Sequence, residues 1–520
     1  MKSRMLIAVA LSFLTVMGLQ FFTNKKKNQG QPGVAGQVQS GQFYAAKAQQ
    51  VWPEELNREI DFVDGTLPKE EIVNVENENY QASFSNIGGV LTSLTFKKHK
   101  GEKDSFLQTI YKQSDAFKEE GCFLLALEEK SPASYSMIDR TENEAGTQIT
   151  YQAEIDKWVV QKIYFIHNNS YKIDIIFNFN PRSKDAKDLT PRIFFPAPLL
   201  HDFKDDAFNG FLTTNGKTVE KIPSNKELNG VWGMPEIFGL EDKYFAHSLI
   251  KDEDHFVRGG YYKRVNNKLF AILLGNDIKK KGSWKLSFYM GPKLVNELSA
   301  VDDRLDGVLS FGWFSWISKM LLKLLAYLYK YLNNYGLAII VLTILLKLPF
   351  VPLSIVSRKK MEDYQKFQPT IARIRQKYKS DPARQQQELV QFHKDHNISP
   401  ATSMVGCLPM LIQFPFLIAL YRALGNYLDL YKAPFFGWIT DLSLKDPYYV
   451  LPILMGAAML WQQSMTPATD SKMKVAGMFM PILMVAIFIK FPAGLVLYWF
   501  TNNLLTIGED LLRKRIYRKA

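Results

Sequence analysis

The sequence predicts a polytopic α-helical membrane protein of six transmembrane helices, five of them forming a core in the last third of the chain, joined to an all-β sandwich-like domain outside the membrane. Three observations carry this reading. Apolar windows long enough to cross hydrocarbon occur once near the N-terminus and then crowd beyond Tyr335. Between them, stretches such as QITYQAEI, KWVVQKIYFIH and YKIDIIFNFN alternate apolar with polar residues, the pattern of half-buried strands. The 520-residue chain is 47% hydrophobic yet 22% charged, with a net charge of +13, a mixture that suits neither an all-membrane protein nor an ordinary soluble enzyme.

Taken in order, residues 1–23 combine a short basic start with an apolar run, so a cleaved signal and a retained anchor compete. No small-x-small site follows Leu19, and lysines occupy 25–27, which favours a transmembrane anchor. Residues 24–60 begin with a Gly/Gln-rich stretch that has little to bury and form a flexible linker. The β-domain spans 61–310, long enough to bury its own core without disulfides. Cys122 falls in this polar half and Cys407 in an apolar span, so neither a disulfide nor a cysteine metal site is expected.

Residues 311–333 form an amphipathic helix. Lys319, Lys323 and Lys330 fall within about 40° of one another at 100° per residue, opposite Leu, Ile and aromatic positions. Its aromatic content and the adjoining span place it in the membrane interface rather than in a soluble core. The membrane core follows at 334–512, with spans near 335–356, 403–424, 447–464, 475–490 and 493–510. Its first connection, 358–397, is a helical hairpin of about 40 residues carrying ten Lys/Arg, among them Arg358, Lys359, Lys360, Arg373, Arg375 and Lys377. Asp381 and Pro382 supply an N-cap and a first-turn proline to its second helix. The chain closes with the basic tail 513–520. Basic segments stay on the cytoplasmic side, which places the hairpin and both termini inside and the β-domain outside. The same rule accounts for the net positive charge, so nucleic acid is not expected as a substrate.

The residue that needs explaining is Lys347, in the middle of AIIVLTILLKLPFVPLSIV. A lysine at the bilayer centre costs about 2.5–3.5 kcal/mol on insertion scales. Gly336, Thr343 and Ser354 lie within about 40° of it on a helical wheel, a stripe that points it toward protein. Pro349 and Pro352 follow, removing bonds to the carbonyls of Leu345 and Leu348 and kinking the cytoplasmic half. Other polar groups sit at membrane depth: Gln413, Gln462 and Gln463, Tyr498, Asn502 and Asn503. Interhelical hydrogen bonding explains any one of these equally well. No carboxylate occurs within the core spans before Glu509 and Asp510, at the end of the last, so Lys347 is expected to have no buried carboxylate partner and to need a wet cavity open to the cytoplasm.

Enzyme chemistry has little support. GFLTTNGKT at 210–218 has glycines one residue too far apart for a phosphate loop, and His393 and His396 sit in a charged helical stretch without a third ligand. No cofactor is expected. A solute transporter or channel with an anion site at Lys347 remains an alternative, as does an assembly factor whose β-domain acts while the bundle anchors it. The five spans show no internal repeat, which weakens the transporter reading. A variant lacking most of residues 60–300 separates the assembly factor, which would lose activity, from a function seated in the bundle.

The motifs NYGLAIIVLTILLKLPFVPLS, QPTIARIRQKY, GCLPMLIQFPFLIALYRAL, APFFGWITDLSLKDPYYVLPILMGAAML and FPAGLVLYWFTNNLLTI closely resemble the YidC membrane insertases of bacteria, relatives of the mitochondrial Oxa and chloroplast Alb proteins. FGLEDKYFAHSLI and YMGPK resemble that family's β-domain in its Gram-negative form. The resemblance implies an inner-membrane insertase and chaperone that places membrane protein clients into lipid from a positively charged hydrophilic groove, open to the cytoplasm, alone or beside the Sec translocon. It places Lys347 in the groove, which the polar groups read at that depth, Thr343, Gln413, Gln463, Tyr498 and Asn503, are expected to line, and it gives the hairpin at 358–397 to docking of the client or, weakly, its ribosome. The family carries arginine where this chain has Lys347, which keeps the charge and loses the bidentate fork.

Overall fold

The computed structural model describes residues 69–517 except 101–104, 112–120, 128–131, 199–209, 215–218, 224–229, 266–267, 310, 312–313, 397–407 and 466–470. The expected anchor at 1–23, the linker at 24–60 and Cys407 lie outside these residues.

The alternating stretches become strands of a nine-stranded antiparallel sheet. Its order is Val219–Pro223, Gly210–Thr214, Phe238–Glu241, Phe245–Asp252, Gly282–Pro292, Lys172–Pro181, Trp158–His167, Gly146–Ile155 and Ser136–Asn143. Ile155 pairs with Trp158 across a two-residue turn in which Asp156 takes a left-handed φ of 50°, a conformation its short polar side chain tolerates. Gly210 lies in a strand paired on both sides, which removes the phosphate-loop reading.

Two smaller sheets pack on this one. A five-stranded sheet runs Trp232–Gly233, Val257–Val265, Lys268–Gly275, Arg192–Pro196 and Leu124–Ala126, and a four-stranded sheet runs Ile72–Glu76, Tyr80–Ser85, Val90–Lys100 and Phe106–Ile110. Rings make the joints: Phe288 meets Phe123 at 4.7 Å and Phe195 at 5.5 Å, while Phe84 meets Tyr164 at 4.8 Å and Phe96 meets Phe245 at 4.6 Å. Tyr164 also touches Phe123 at 6.2 Å, so both smaller sheets cover one face of the large one. Such pairs contribute about 0.5–1.5 kcal/mol beyond the area they bury.

The alternation hides one exception. Trp158, Val160, Lys162, Tyr164 and Ile166 all face inward, so a lysine is buried in the seam. Its ammonium donates to the carbonyls of Gly88 at 2.6 Å, Gly89 at 3.3 Å and Phe123 at 3.0 Å, which ties the strands of both small sheets to the large one. Burial pushes its pKa down to about 7. The free thiol of Cys122 is buried beside it and pushed up by the same desolvation.

The two β-domain motifs singled out in the sequence meet. Lys293 of YMGPK pairs with Glu241 of FGLEDKYFAHSLI at 3.0 Å, and Lys221 reaches the same carboxylate at 2.8 Å. Asp242 accepts from the backbone N–H groups of Tyr244 and Phe245, and burial pushes its pKa up to about 6. This fixes Tyr244, whose ring lies 5.8 Å from that of Tyr431 in the connection between two apolar helices. His99 lies 3.8 Å from Asp429 in the same connection. Burial holds the imidazole below its usual pKa, against the opposing pull of the Asp429 charge.

The helices, numbered here α1–α10, are Val295–Val301, Ser315–Leu332, Tyr335–Lys347, Val351–Lys366, Gln368–Lys377, Pro382–Asp395, Leu408–Gly425, Val450–Met465, Ser471–Phe488 and Ala493–Tyr517. Helix α2 buries Ile317, Leu321, Leu322 and Leu325 and donates from the Ser318 hydroxyl to the carbonyl of Ala419 in α7 at 2.9 Å. Trp316, Tyr327 and Tyr331 remain exposed. The pair of asparagines after it forms the joint to α3: Asn333 closes α2 in a left-handed conformation with φ of 49°, and the Asn334 side chain accepts from the N–H of Leu337 at 3.0 Å.

Among the described residues one helix is long and apolar enough to cross a membrane, Tyr335–Ser357, of 23 residues. It includes a 3-10 turn at Leu348–Phe350, at the prolines that remove the regular bonds. The helix then continues unbroken to Lys366. The first arm of the hairpin therefore breaks at Phe367: Pro369 has no N–H to give and restricts Gln368, so a new helix starts there. Asp381 caps α6 by accepting from the N–H of Arg384 at 3.0 Å, as the Asp-Pro pair predicts.

Helix α10 packs against α3, α7 and α8. The loop between α7 and α8 lies across the starts of α3 and α10. Asn334 donates to the carbonyl of Phe435 at 3.3 Å, and the N–H groups of Ala493 and Gly494 donate to the carbonyls of Leu444 and Leu442 at 2.7 and 3.0 Å. The loop that touches the β-domain thus caps one end of the bundle.

Candidate functional site

Because α3 and α10 both start at this loop, they run side by side in the same direction. Lys347 and Thr506 lie at nearly the same distance from those starts. The ammonium of Lys347 donates to the Asn502 carbonyl at 3.0 Å and to the Thr506 hydroxyl, which itself donates to the Asn502 carbonyl at 2.8 Å. It also faces a carboxylate: Glu509 Oε1 is 3.6 Å away, with the two side chains 12% and 19% exposed. This corrects the expectation that Lys347 lacks such a partner. Glu509 sits one turn beyond Thr506, about 4.5 Å along the axis, within reach of the four-carbon stem. Leu345 and Leu348, flanking Lys347, are exposed, so the lysine turns toward α10 while its apolar neighbours face outward.

A second set of bonds meets the first at Asn502. Gln413 of α7 donates to Asn502 Oδ1 at 3.0 Å and to the buried Tyr498 hydroxyl at 3.2 Å. Asn502 therefore accepts from Gln413 through its side chain and from Lys347 through its backbone. Tyr498, Asn502, Thr506 and Glu509 recur at spacings of four, four and three, one face of α10.

The remaining candidates fall beside this network. Thr343 is buried one turn before Lys347, and its hydroxyl donates back to the Ile339 carbonyl at 2.6 Å. Asn503 is buried on a neighbouring face, about 100° round the helix, and its amide nitrogen has no hydrogen-bond partner among the described residues. Gln463 is half-buried near the end of α8. Sequence reading missed Thr506 and Glu509 and passed over Asn502 for Asn503. The signal was the stripe on α10, legible only once its inner face is known.

In the hairpin, Lys359, Arg373, Arg375 and Lys377 are exposed, and Arg358 and Lys360 share the helix of Lys359. Phe367, Phe392 and His396 form a ring cluster in the hairpin, and Ile371 is buried. The ring nitrogens of His393 and His396 meet carbonyls of their own helix, and no metal-holding group of three or more His, Cys, Asp or Glu occurs among the described residues.

Two family models cover most of the chain: that described as 60Kd inner membrane protein matches residues 327–520, and that of the YidC periplasmic domain matches 72–324. Among curated relatives, Membrane protein insertase YidC of Syntrophus aciditrophicus is 35% identical over 474 residues, covering 86% of this chain and 85% of its own. The protein of that name from Geobacter metallireducens is 30% identical over 541 residues, covering 98% of each. Among solved structures, one titled Active YidC insertase crystal structure with the first transmembrane domain resolved aligns with 85% of this chain and 92% of its own, at 18% identity and a TM-score of 0.39.

Proposed function

The chain belongs to the YidC family of membrane protein insertases, and from that premise we propose that it receives the polar or acidic tail of a nascent membrane protein at Lys347 and releases the adjoining apolar segment into lipid. The observation that carries this reading is the position of Lys347, a cation in the middle of the one long apolar helix among the described residues, turned onto a polar face of α10. A carboxylate entering there finds a charge partner and hydrogen-bonding groups in place of bulk water, which lowers the cost of carrying it partway through the membrane. Transfer of the client's apolar segment from water to hydrocarbon drives the step, so no hydrolysis is required.

The groove comprises Lys347, Thr343, Gln413, Gln463, Tyr498 and Asn503, together with Asn502 and Thr506. It opens to the cytoplasm. Six spans, the anchor included, place both termini inside and the β-domain in the periplasm, an arrangement supported by the contact of that domain with the loop across the starts of α3 and α10. The basic hairpin then lies at the other end, where it receives the client or its ribosome. The protein works in the lipid of the inner membrane, alone or beside the Sec translocon.

The test is protease-protected insertion of a small single-span client with an acidic N-tail into proteoliposomes holding wild type, Lys347→Arg or Lys347→Leu. Arginine retains insertion, and leucine lowers it roughly tenfold, equivalent to about 1.4 kcal/mol. Equal insertion by all three would remove the charge from the mechanism.

A further inference from the structure

The ammonium of Lys347 that is to meet a client carboxylate already faces one. A lysine ammonium has three donors, and the groups around this one include the Asn502 carbonyl, the Thr506 hydroxyl and Glu509 Oε1. An arriving carboxylate competes with one of them. The Asn502 carbonyl belongs to the helix backbone and stays. Thr506 is held by its own bond to that carbonyl. Of these three, Glu509 alone has the client's chemistry. At 3.6 Å it is beyond hydrogen-bond length, and its side chain, 19% exposed, is the more accessible of the pair. It also lies one turn farther from the capped starts of α3 and α10, on the face formed by Tyr498, Asn502 and Thr506.

We propose that Glu509 is the resident counter-ion of Lys347, displaced by a client's acidic tail as it enters, so that Glu509 sets how much negative charge a client tail needs. The inference rests on the groove reading above. Between clients, the pair offsets the cost of a lone cation at that depth. During entry one carboxylate replaces another, so the site stays near neutral, and a tail with no charge gains nothing from the exchange. Glu509 acts here through Lys347 and is a positioning residue.

The experiment uses the full chain in proteoliposomes and two single-span clients identical except for tails bearing three Asp or three Asn. The readout is the ratio of acidic-tailed to neutral-tailed client protected from protease, taken within each variant so that a loss of folded protein cancels. Glu509→Gln is expected to raise the ratio about fivefold, roughly 1 kcal/mol of relieved competition. Glu509→Asp keeps the charge and holds the ratio near wild type, whereas a merely structural role would make both substitutions act alike. Lys347→Leu is expected to bring the ratio to about one, with or without Glu509→Gln. An unchanged ratio in Glu509→Gln, or equal shifts in Gln and Asp, would overturn the counter-ion role while leaving Lys347 in place. If Lys347→Leu also leaves the wild-type ratio unmoved, the groove reading fails and takes this inference with it.

Discussion

Gln413 donates its side-chain amide to Asn502 Oδ1 at 3.0 Å, joining α7 to the same residue of α10 whose carbonyl accepts from Lys347. One asparagine thus ties three helices at the depth of the lysine.

If that bond helps hold the helices, Gln413→Ala and Asn502→Ala are not independent. A double-mutant cycle in mixed detergent micelles is expected to give a coupling of about 0.6 kcal/mol, up to roughly 1.7, the range found for hydrogen bonds between membrane helices. Additivity within about 0.3 kcal/mol would show that the bond contributes nothing to packing.

Gly336 makes a sharper prediction, because a Cβ there would lie 1.9 Å from Phe435 Cδ2. Replacing glycine by alanine inside a helix ordinarily stabilises by about 1 kcal/mol. Here the sign reverses: Gly336→Ala is expected to destabilise by about 1–3 kcal/mol as the ring is driven off. It should also speed trypsin cleavage in the loop between α7 and α8. Adding Phe435→Ala should restore much of the loss relative to Phe435→Ala alone. Stability equal to wild type in Gly336→Ala would contradict the packing.

The third prediction concerns pH. His247 is buried in the β-domain between the carbonyl of Pro196 at 3.0 Å and the hydroxyl of Thr109 at 3.1 Å, and burial pushes its pKa down to about 4. The unfolded ring takes up its proton near pH 6.5, the folded ring only near 4. The unfolded state therefore binds more protons between these values, and stability falls as pH drops through that window, by about 3 kcal/mol in all. Hydrogen exchange of the amides in Phe245–Asp252 measured from pH 7 to 4 checks it. His247→Gln should be less stable at pH 7 and flatter across the window; an unaltered slope would assign the acid sensitivity to other groups.

The strands of the β-domain and the cap at Asp381 were legible because each depends on residues within one short window. Alternation could not show that Lys162 faces inward, since a lysine on a strand reads as solvated until the carbonyls of Gly88, Gly89 and Phe123 converge on it from other sheets. The break at Phe367 was signalled by Pro369, yet the run of charges from Arg358 onward concealed that the membrane helix continues into the hairpin.

By itself the sequence determined the class of protein, the position of the odd cation in its apolar helix and the irregular turn beside it, because hydropathy and proline chemistry act along the chain. The tertiary structure decided the company that cation keeps. Whether Asn502 or Asn503 faces α7, and whether Glu509 reaches Lys347, depends on the relative depth and rotation of α3, α7 and α10. Those are set by the loop that holds Asn334, Gly336, Ala493 and Gly494 at one end of the bundle. A helical wheel gives the angles within one helix and carries no information about the next.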